Sequence, residues 1–197
     1  VRLVYLGALY QGRNLLSLCQ AVEKANAAGM AFALSFVGKG PEHMTLSRFA
    51  RETAGRIRVL PAVPHDEVPR LLAQHHVGVL PFPDEAKFRV SSPVKLFEYM
   101  AAGLAILATE VVCHTDVVKE GKYAIWAEDA SVEGLFAALQ LIWDVRASLS
   151  SMGCEAAIAA QACTWQESAR KLSDALNRGL AGVQHGDAFE LPERVLS

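Results

Sequence analysis

Short apolar runs punctuate the first two thirds of the chain: VRLVYL at 1 to 6, FALSFV at 32 to 37, IRVL at 57 to 60, VGVLPF at 77 to 82, LAILAT at 104 to 109 and YAIW at 123 to 126. They are continuous rather than alternating, as expected of strands covered on both faces. Between them, apolar residues recur with helical spacing. Leu15, Leu18, Cys19 and Val22 follow the i, i+3, i+4, i+7 rule. Leu46, Phe49 and Ala50 begin it again after Pro41, which suits a first helical position, and Val68, Leu71 and Leu72 do so after His65 and Asp66. This alternation predicts an α/β fold, a doubly wound parallel sheet of about six Rossmann-like strands with right-handed crossovers.

After YAIW the pattern is helical only. Val132, Leu135, Phe136, Leu139, Ile142 and Trp143 form one apolar stripe, and a further helix is expected from about 145 to 160. A third opens on Thr164, Trp165, Gln166, Glu167, a capping box in which Thr164 and Glu167 satisfy free amides, and is expected to end near Gly179. Residues 181–197 have little periodicity. The expected organisation is one domain over 1–180 and a tail over 181–197 that is flexible or packs on a domain absent from this sequence. Trp126, Trp143 and Trp165 fall on apolar faces and are expected in the core.

Composition narrows the partners. With 197 residues, 52% of them hydrophobic, the chain can bury roughly 70% of its unfolded surface in a single core. A formal charge of -2 and scattered Lys and Arg give no basic stripe, which speaks against nucleic acid and anionic lipid. Cys19, Cys113, Cys154 and Cys163 form no C-x-x-C pair and have no His at zinc spacing, so they are read as reduced, partly buried thiols. No apolar run approaches the ~20 residues of a membrane span, and no secretory signal precedes the first strand. A cytoplasmic location is expected. Because the sequence opens at Val1 and enters a strand at once, an upstream portion is expected to be missing.

In open parallel sheets, ligands bind beyond the carboxyl ends of the strands. Four loops fall there. In SSPVKLFEYMAAG, Ser92 is the expected N-cap, Pro93 the first-turn residue and Gly103 the C′ residue of a helix over about 93 to 102. Its free amides and dipole favour a phosphate, with the Ser91 and Ser92 hydroxyls as further donors. Val94, Phe97 and Ala101 are expected to pack inward beside Glu98. That carboxylate either accepts from a ribose diol or pairs with Lys95 or an Arg at the surface, and helix geometry leaves both open. In GALYQGRNLL, Gly7 and Gly12 permit close backbone approach, and Arg13 stands at the next helix mouth to grip a phosphate or to be solvated. VGKGPE, from Val37, is a glycine-rich turn without a Walker A lysine or G-x-G-x-x-G. In LPAVPHDE, backbone near Ala62 and Val63 either edges a base or simply turns the chain. His75 and His76 are expected to complement a helix dipole, His114 to lie in a loop after the fifth strand, and Asp84, Glu85, Lys87 and Arg89 to occupy a polar loop.

The order and spacing of these four loops resemble the C-terminal domain of group 1 glycosyltransferases, also called glycosyltransferase family 4, which have the GT-B architecture. The resemblance runs from about Leu3 to Leu176. Gly7 and Arg13 match the family's Gly and its diphosphate-binding Lys, whereas Ala8 stands where the family has Arg. Val37, Gly38, Lys39, Gly40, Pro41 match V-G-x-G-P, and Leu60 to Val63 match the segment that lines the base. Glu98, Tyr99, Met100, Ala101, Ala102, Gly103 match the end of the E-x7-E signature, whose second Glu binds ribose. Its first Glu is replaced by Val90. Ser92, Pro93, Lys95, Glu98 and Tyr99 fit an S-P-x-K-x-x-E-Y variant in which Lys95 faces the sugar or phosphate.

The resemblance implies a retaining, metal-independent hexosyltransferase of glycan, polysaccharide or glycolipid synthesis. No D-x-D motif occurs, and the donor is a nucleotide diphosphate sugar such as a UDP- or GDP-sugar, with no other cofactor. Arg13, Lys95 and Glu98 are the catalytic candidates. Gly7, Arg13, Gly38, Val63, Ser91, Ser92, Pro93, Val94 and Glu98 are the donor-binding candidates. The implied partner is an N-terminal acceptor domain, through which peripheral membrane association would arise. A noncatalytic nucleotide-sugar-binding module and a GT-B epimerase are the alternatives; a hydride-transfer enzyme is disfavoured because no dinucleotide fingerprint follows the first strand.

Overall fold

The computed structural model describes residues 1–184. Its strands are β1 (Arg2–Leu6), β2 (Ala33–Val37), β3 (Ile57–Leu60), β4 (Val77–Leu80), β5 (Ala105–Thr109) and β6 (Ala124–Ala127). They form one parallel sheet in the order β3-β2-β1-β4-β5-β6, and each strand falls in an apolar run, β6 extending one residue past its own. The connecting helices are α1 (Leu15–Ala27), α2 (His43–Arg51), α3 (Val68–Leu72), α4 (Ala86–Arg89), α5 (Val94–Ala101), α6 (Val112–Val118), α7 (Val132–Asp144) and α8 (Leu149–Ala160). Packing divides them, with α1 against α2 and α7, and α5 against α8. The core is centred on the sheet: Leu3, Val4, Leu34, Phe36, Val79, Ile106 and Leu107 have no exposed surface.

The strand order reverses direction between β1 and β4, and the pairing there is short. β1 follows β2 from Arg2↔Ala33 to Leu6↔Val37, but meets β4 only at Leu3↔Val77 and Val4↔Gly78. Past Val4 the two central strands part, which opens a crevice at their carboxyl ends. The amide of Leu6 donates instead to the Tyr99 hydroxyl of α5, 2.8 Å away. The Tyr99 ring lies against Gly78, where a Cβ would come within 2.3 Å of the ring.

This contact also sets the rotation of α5. The expected inward face of Val94, Phe97 and Ala101 is not the one buried. Leu96, Tyr99 and Met100 are buried, Val94 and Ala101 are exposed, and Phe97 is half-buried. Both sets have helical periodicity, and the hydroxyl of Tyr99 hides its place in the apolar stripe. The C-terminus of α5 is as expected, with Gly103 at φ +71 and the Leu104 amide bonded to the Tyr99 carbonyl.

Other expectations are corrected. The polar loop contains the single-turn α4, and His114 lies in α6 rather than a loop; both helices are too short to show a full apolar period. Trp126 and Trp143 are half-buried, while Trp165 is 87% exposed. By packing, the chain forms two compact units, one over 1–160 and one from 161 onward. In the second unit, α9 (Trp165–Gln184) continues through Gly179, the expected stop. The Thr164 hydroxyl accepts from the Glu167 amide, but the Glu167 carboxylate binds Arg170 instead of turning back to close the box. Of the expected tail, residues 185–197 lie outside the described residues.

Replacing Tyr99 with Phe leaves the Leu6 amide without its acceptor in a buried setting. Urea unfolding should show a loss of about 1–3 kcal/mol; an unchanged midpoint would mean that the bond does not hold the strand end.

Candidate functional site

The crevice is built from the ends of β1, β4 and β5. After β1 the chain turns through Gly7 at φ +130, where a Cβ would sit 3.0 Å from Cε of Lys95 and 3.1 Å from its Nζ. A hydrogen at that position is what lets the Lys95 side chain cross from the first turn of α5. Its ammonium lies 5.1 Å from the Tyr5 ring centroid and 5.3 Å from that of Phe82. Burial and the neighbouring Arg13 lower the Lys95 pKa to about 8, with the charge of Glu98 acting the other way.

Arg13 approaches the same rings. Its Nη1 donates to the Tyr5 hydroxyl at 3.0 Å, and that hydroxyl donates to the carbonyl of Ala8, also at 3.0 Å. The guanidinium carbon lies 5.3 Å from the centroid of Phe82, which stacks on Phe88 at 4.8 Å. Phe82 is fixed from behind, because the Thr109 hydroxyl donates to its carbonyl at 2.5 Å. Among the described residues, Arg13, Lys95 and Glu98 enter no ion pair. The nearby exposed charges behave differently: Asp84 pairs with Arg89 and Glu85 with Lys87, so these side chains neutralise one another in solvent.

The loops after β1 and β2 are laced together. The Gly7 amide donates to the Val37 carbonyl at 2.8 Å, and the Leu9 amide to the Lys39 carbonyl at 2.9 Å. Gly38 is buried so close to this turn that a Cβ would fall 1.9 Å from the Gly7 carbonyl oxygen. Beyond β3, Ala62 is exposed and Val63 half-buried. Glu42, at the start of α2, has a buried Oε2 with no partner among the described residues, and burial raises its pKa.

At the start of α5 the expected cap is absent. Pro93 occupies the N-cap position, no side chain caps the helix, and the Ser92 carbonyl accepts from the Val94 amide at 2.9 Å. The helix starts one residue later than expected, so Ser92 falls outside the cap position, and Pro93, which takes it, has no side-chain acceptor. Ser91 also turns away, since its hydroxyl donates to the Phe88 carbonyl at 2.9 Å. Val94 is 59% exposed at the crevice end of the helix. Glu98 is half-buried, just over one turn further on.

Sequence reasoning missed Tyr5, Phe82 and Phe88, which lie inside or beside apolar runs. The signal was there for Tyr5, a hydroxyl near the end of an otherwise apolar strand. His114 is fully buried, 5.4 Å from Phe82 between ring centroids, and its Nδ1 donates to the Thr109 carbonyl at 2.9 Å. Far from these residues, the His75 Nδ1 donates to the Leu71 carbonyl at the end of α3, and the His76 Nδ1 accepts from the Arg2 amide. Two cavities of about 590 and 600 Å³ open at that amino end of the sheet, around Val1, Arg2 and Phe32 in one and His75, His76 and Trp143 in the other. They lie on the side of a parallel sheet where ligands are not bound.

The sequence model of the family described as "Glycosyl transferases group 1" matches residues 1–144. The chain belongs to the group 1 glycosyl transferases. No curated protein matches it. Solved structures resemble this group 1 chain at low identity. The pneumococcal O-GlcNAc transferase GtfA in complex with UDP and GlcNAc has a TM-score of 0.72 at 16% identity, covering 91% of this chain and 36% of its own. Anabaena Alr3699/HepE in complex with UDP and glucose has 0.68 at 15%, covering 87% and 48%. The catalytic domain of cholesterol-alpha-glucosyltransferase from Helicobacter pylori has 0.68 at 16%, covering 83% and 98%. The chain thus spans about half or less of the first two proteins and nearly all of the third, and the shared feature is the Rossmann-like half of a GT-B fold. Among the described residues no helix is long and apolar enough to cross a membrane.

Lys95 gives this site a pH signature. Its folded pKa of about 8 lies below the ordinary 10.5, so holding the charge costs stability fully below pH 8, and the cost disappears as pH rises to 10.5. Wild type should therefore gain stability relative to Lys95→Met over that interval. A stability difference that stays constant from pH 8 to 10.5 would contradict the burial of this ammonium.

Proposed function

We propose that this chain is the donor-binding domain of a retaining, metal-independent glycosyltransferase that uses a nucleotide diphosphate sugar. The observation that carries the reading is the pair of cations, Arg13 and Lys95, held on Tyr5 and Phe82 at the crevice with no ion-paired carboxylate among the described residues. Two converging positive charges left uncompensated in a partly buried site call for a polyanion, and a diphosphate offers oxygens to both. Lys95 lies against Gly7, next in sequence to Ala8, so in this reading α5 supplies a cation near the position where the family has Arg. In this reading Glu98, half-buried just over one turn into α5, accepts from the ribose hydroxyls, and the Gly38 turn and Val63 take the base side.

In transfer, the bond from the anomeric carbon to the diphosphate breaks and its electron pair leaves with the phosphate oxygen. Arg13 and Lys95 stabilise that charge as it develops. The acceptor and the remaining catalytic groups belong to an N-terminal domain of the same enzyme. GtfA and HepE, both solved with UDP, support a nucleotide ligand in this fold. Val90 favours a second reading. It is 86% exposed and offers no acceptor where the family has the sugar-binding Glu, as in a module that binds donor without transferring it.

Calorimetric titration with UDP and with GDP tests the first reading. One of them should bind, and Glu98→Ala should weaken it by about 1–3 kcal/mol through loss of hydrogen bonds to a charged group. Binding that is indifferent to Glu98→Ala removes the ribose assignment. Retained binding without sugar transfer by the two-domain protein would favour the noncatalytic module.

A further inference from the structure

Two groups at the crevice have complementary unmet hydrogen-bonding capacity. His114 in α6 is fully buried, and because a carbonyl can only accept, its Nδ1 carries the proton given to Thr109. Nε2 is then a bare lone pair, and no donor among the described residues reaches it. Lys95 has three N–H donors and no carboxylate acceptor. Both pack on the same ring, Phe82, and the Lys95 charge acts on the His114 imidazole.

We propose that His114 is the positioning residue for Lys95: its Nε2 accepts from a single water, which in turn accepts one ammonium N–H of Lys95, and so holds that charge towards the donor diphosphate. The diphosphate part rests on the reading above; the Lys95–His114 pairing rests on the shared Phe82 ring and the buried, unpartnered Nε2.

The surroundings explain why such an acceptor matters. Arg13 from the loop after β1 repels the ammonium, and burial works in the same direction. Tyr5 of β1 and Tyr99 of α5 stay neutral, because burial raises both phenols. Glu42, from the start of α2, acts on Tyr5 rather than on Lys95. Glu98 alone of the charged neighbours favours the cation, from the same helix. Burial, opposed by the Thr109 bond, lowers the His114 pKa, so the ring remains a neutral acceptor in the range where Lys95 is charged. An acceptor at this point raises the Lys95 pKa above what it would be without one, and removing it lowers that pKa.

The Lys95 titration can be followed by its 13Cε shift in 13C-lysine-labelled protein, assigned with Lys95→Arg. In His114→Phe, which fills the space without an acceptor, the Lys95 midpoint should fall by about half a unit or more. His114→Gln, which keeps an acceptor oxygen, should recover part of the shift. UDP and GDP titrations over the same pH range should show an affinity that is flat below the wild-type midpoint and declines towards about tenfold per pH unit above it. In His114→Phe that break should move down with Lys95, and affinity at pH 6 should also fall, because the charge is no longer held towards the diphosphate. An unmoved Lys95 midpoint in folded His114→Phe overturns the proposal whatever the nucleotides do. A moved midpoint with neither nucleotide binding upholds the pairing and overturns the diphosphate reading. Should His114→Phe fail to fold, the imidazole 15N shifts of wild type decide. An Nε2 shift typical of a hydrogen-bonded acceptor supports the pairing, and that of a free lone pair overturns it.

Discussion

The parting of β1 from β4 is the constraint on which the rest of the structure depends. Two adjacent parallel strands that stop pairing after Val4↔Gly78 leave polar backbone in the middle of an apolar sheet, where an unpaired amide is costly. The Tyr99 hydroxyl takes up that amide, and its ring needs the bare backbone of Gly78 to reach it. The same contact fixes the rotation of α5. With Leu96, Tyr99 and Met100 turned into the core, Val94 faces outward and Lys95 is directed across Gly7 into the gap. A local deficit in sheet pairing is thus converted into the placement of a cation.

The charges in the crevice are arranged differently from those on the rest of the surface. Elsewhere opposite charges pair in solvent, as in Glu23 with Arg56 and Asp84 with Arg89, and such pairs contribute little. In the crevice, Arg13 and Lys95 lean on aromatic faces, and Arg13 is held by a phenol rather than a carboxylate. Aromatic rings stabilise a cation weakly without neutralising it. The positive potential therefore remains available to an incoming ligand, while the flanking hydrogen bonds of Tyr5 and Thr109 keep the rings and the guanidinium in place.

Much of the fold was legible in the sequence because burial on both faces leaves a strong mark, a continuous apolar run, at each strand of a parallel sheet. The strands fall on those runs, β6 passing its own by one residue, and Arg13, Gly38 and Gly103 occupy the loops and helix ends that the spacing indicated. What was hidden is instructive. The buried face of α5 lies on Leu96, Tyr99 and Met100 rather than on Val94, Phe97 and Ala101, because the contact of Tyr99 with Gly78 and Leu6 decides the rotation. Ser92 carries the right side chain for a cap, but the helix begins one residue later and leaves Pro93 in that position. The interest of Tyr5, Phe82 and His114 lies in which residues they meet across the sheet edge, and no local pattern records that. Nor does any local pattern record that Lys95, more than eighty residues further along the chain, comes to lie against Gly7 beside Ala8.

The contact between Gly7 and Lys95 has an evolutionary side. A side chain at position 7 would require both a strained backbone and space that the end of the lysine already fills. Only the tip of the lysine is in the way, and a flexible tip can swing aside, so the backbone at position 7 is the harder limit. A lineage drifting towards a bulkier residue at the end of the first strand meets that strain before it meets the lysine.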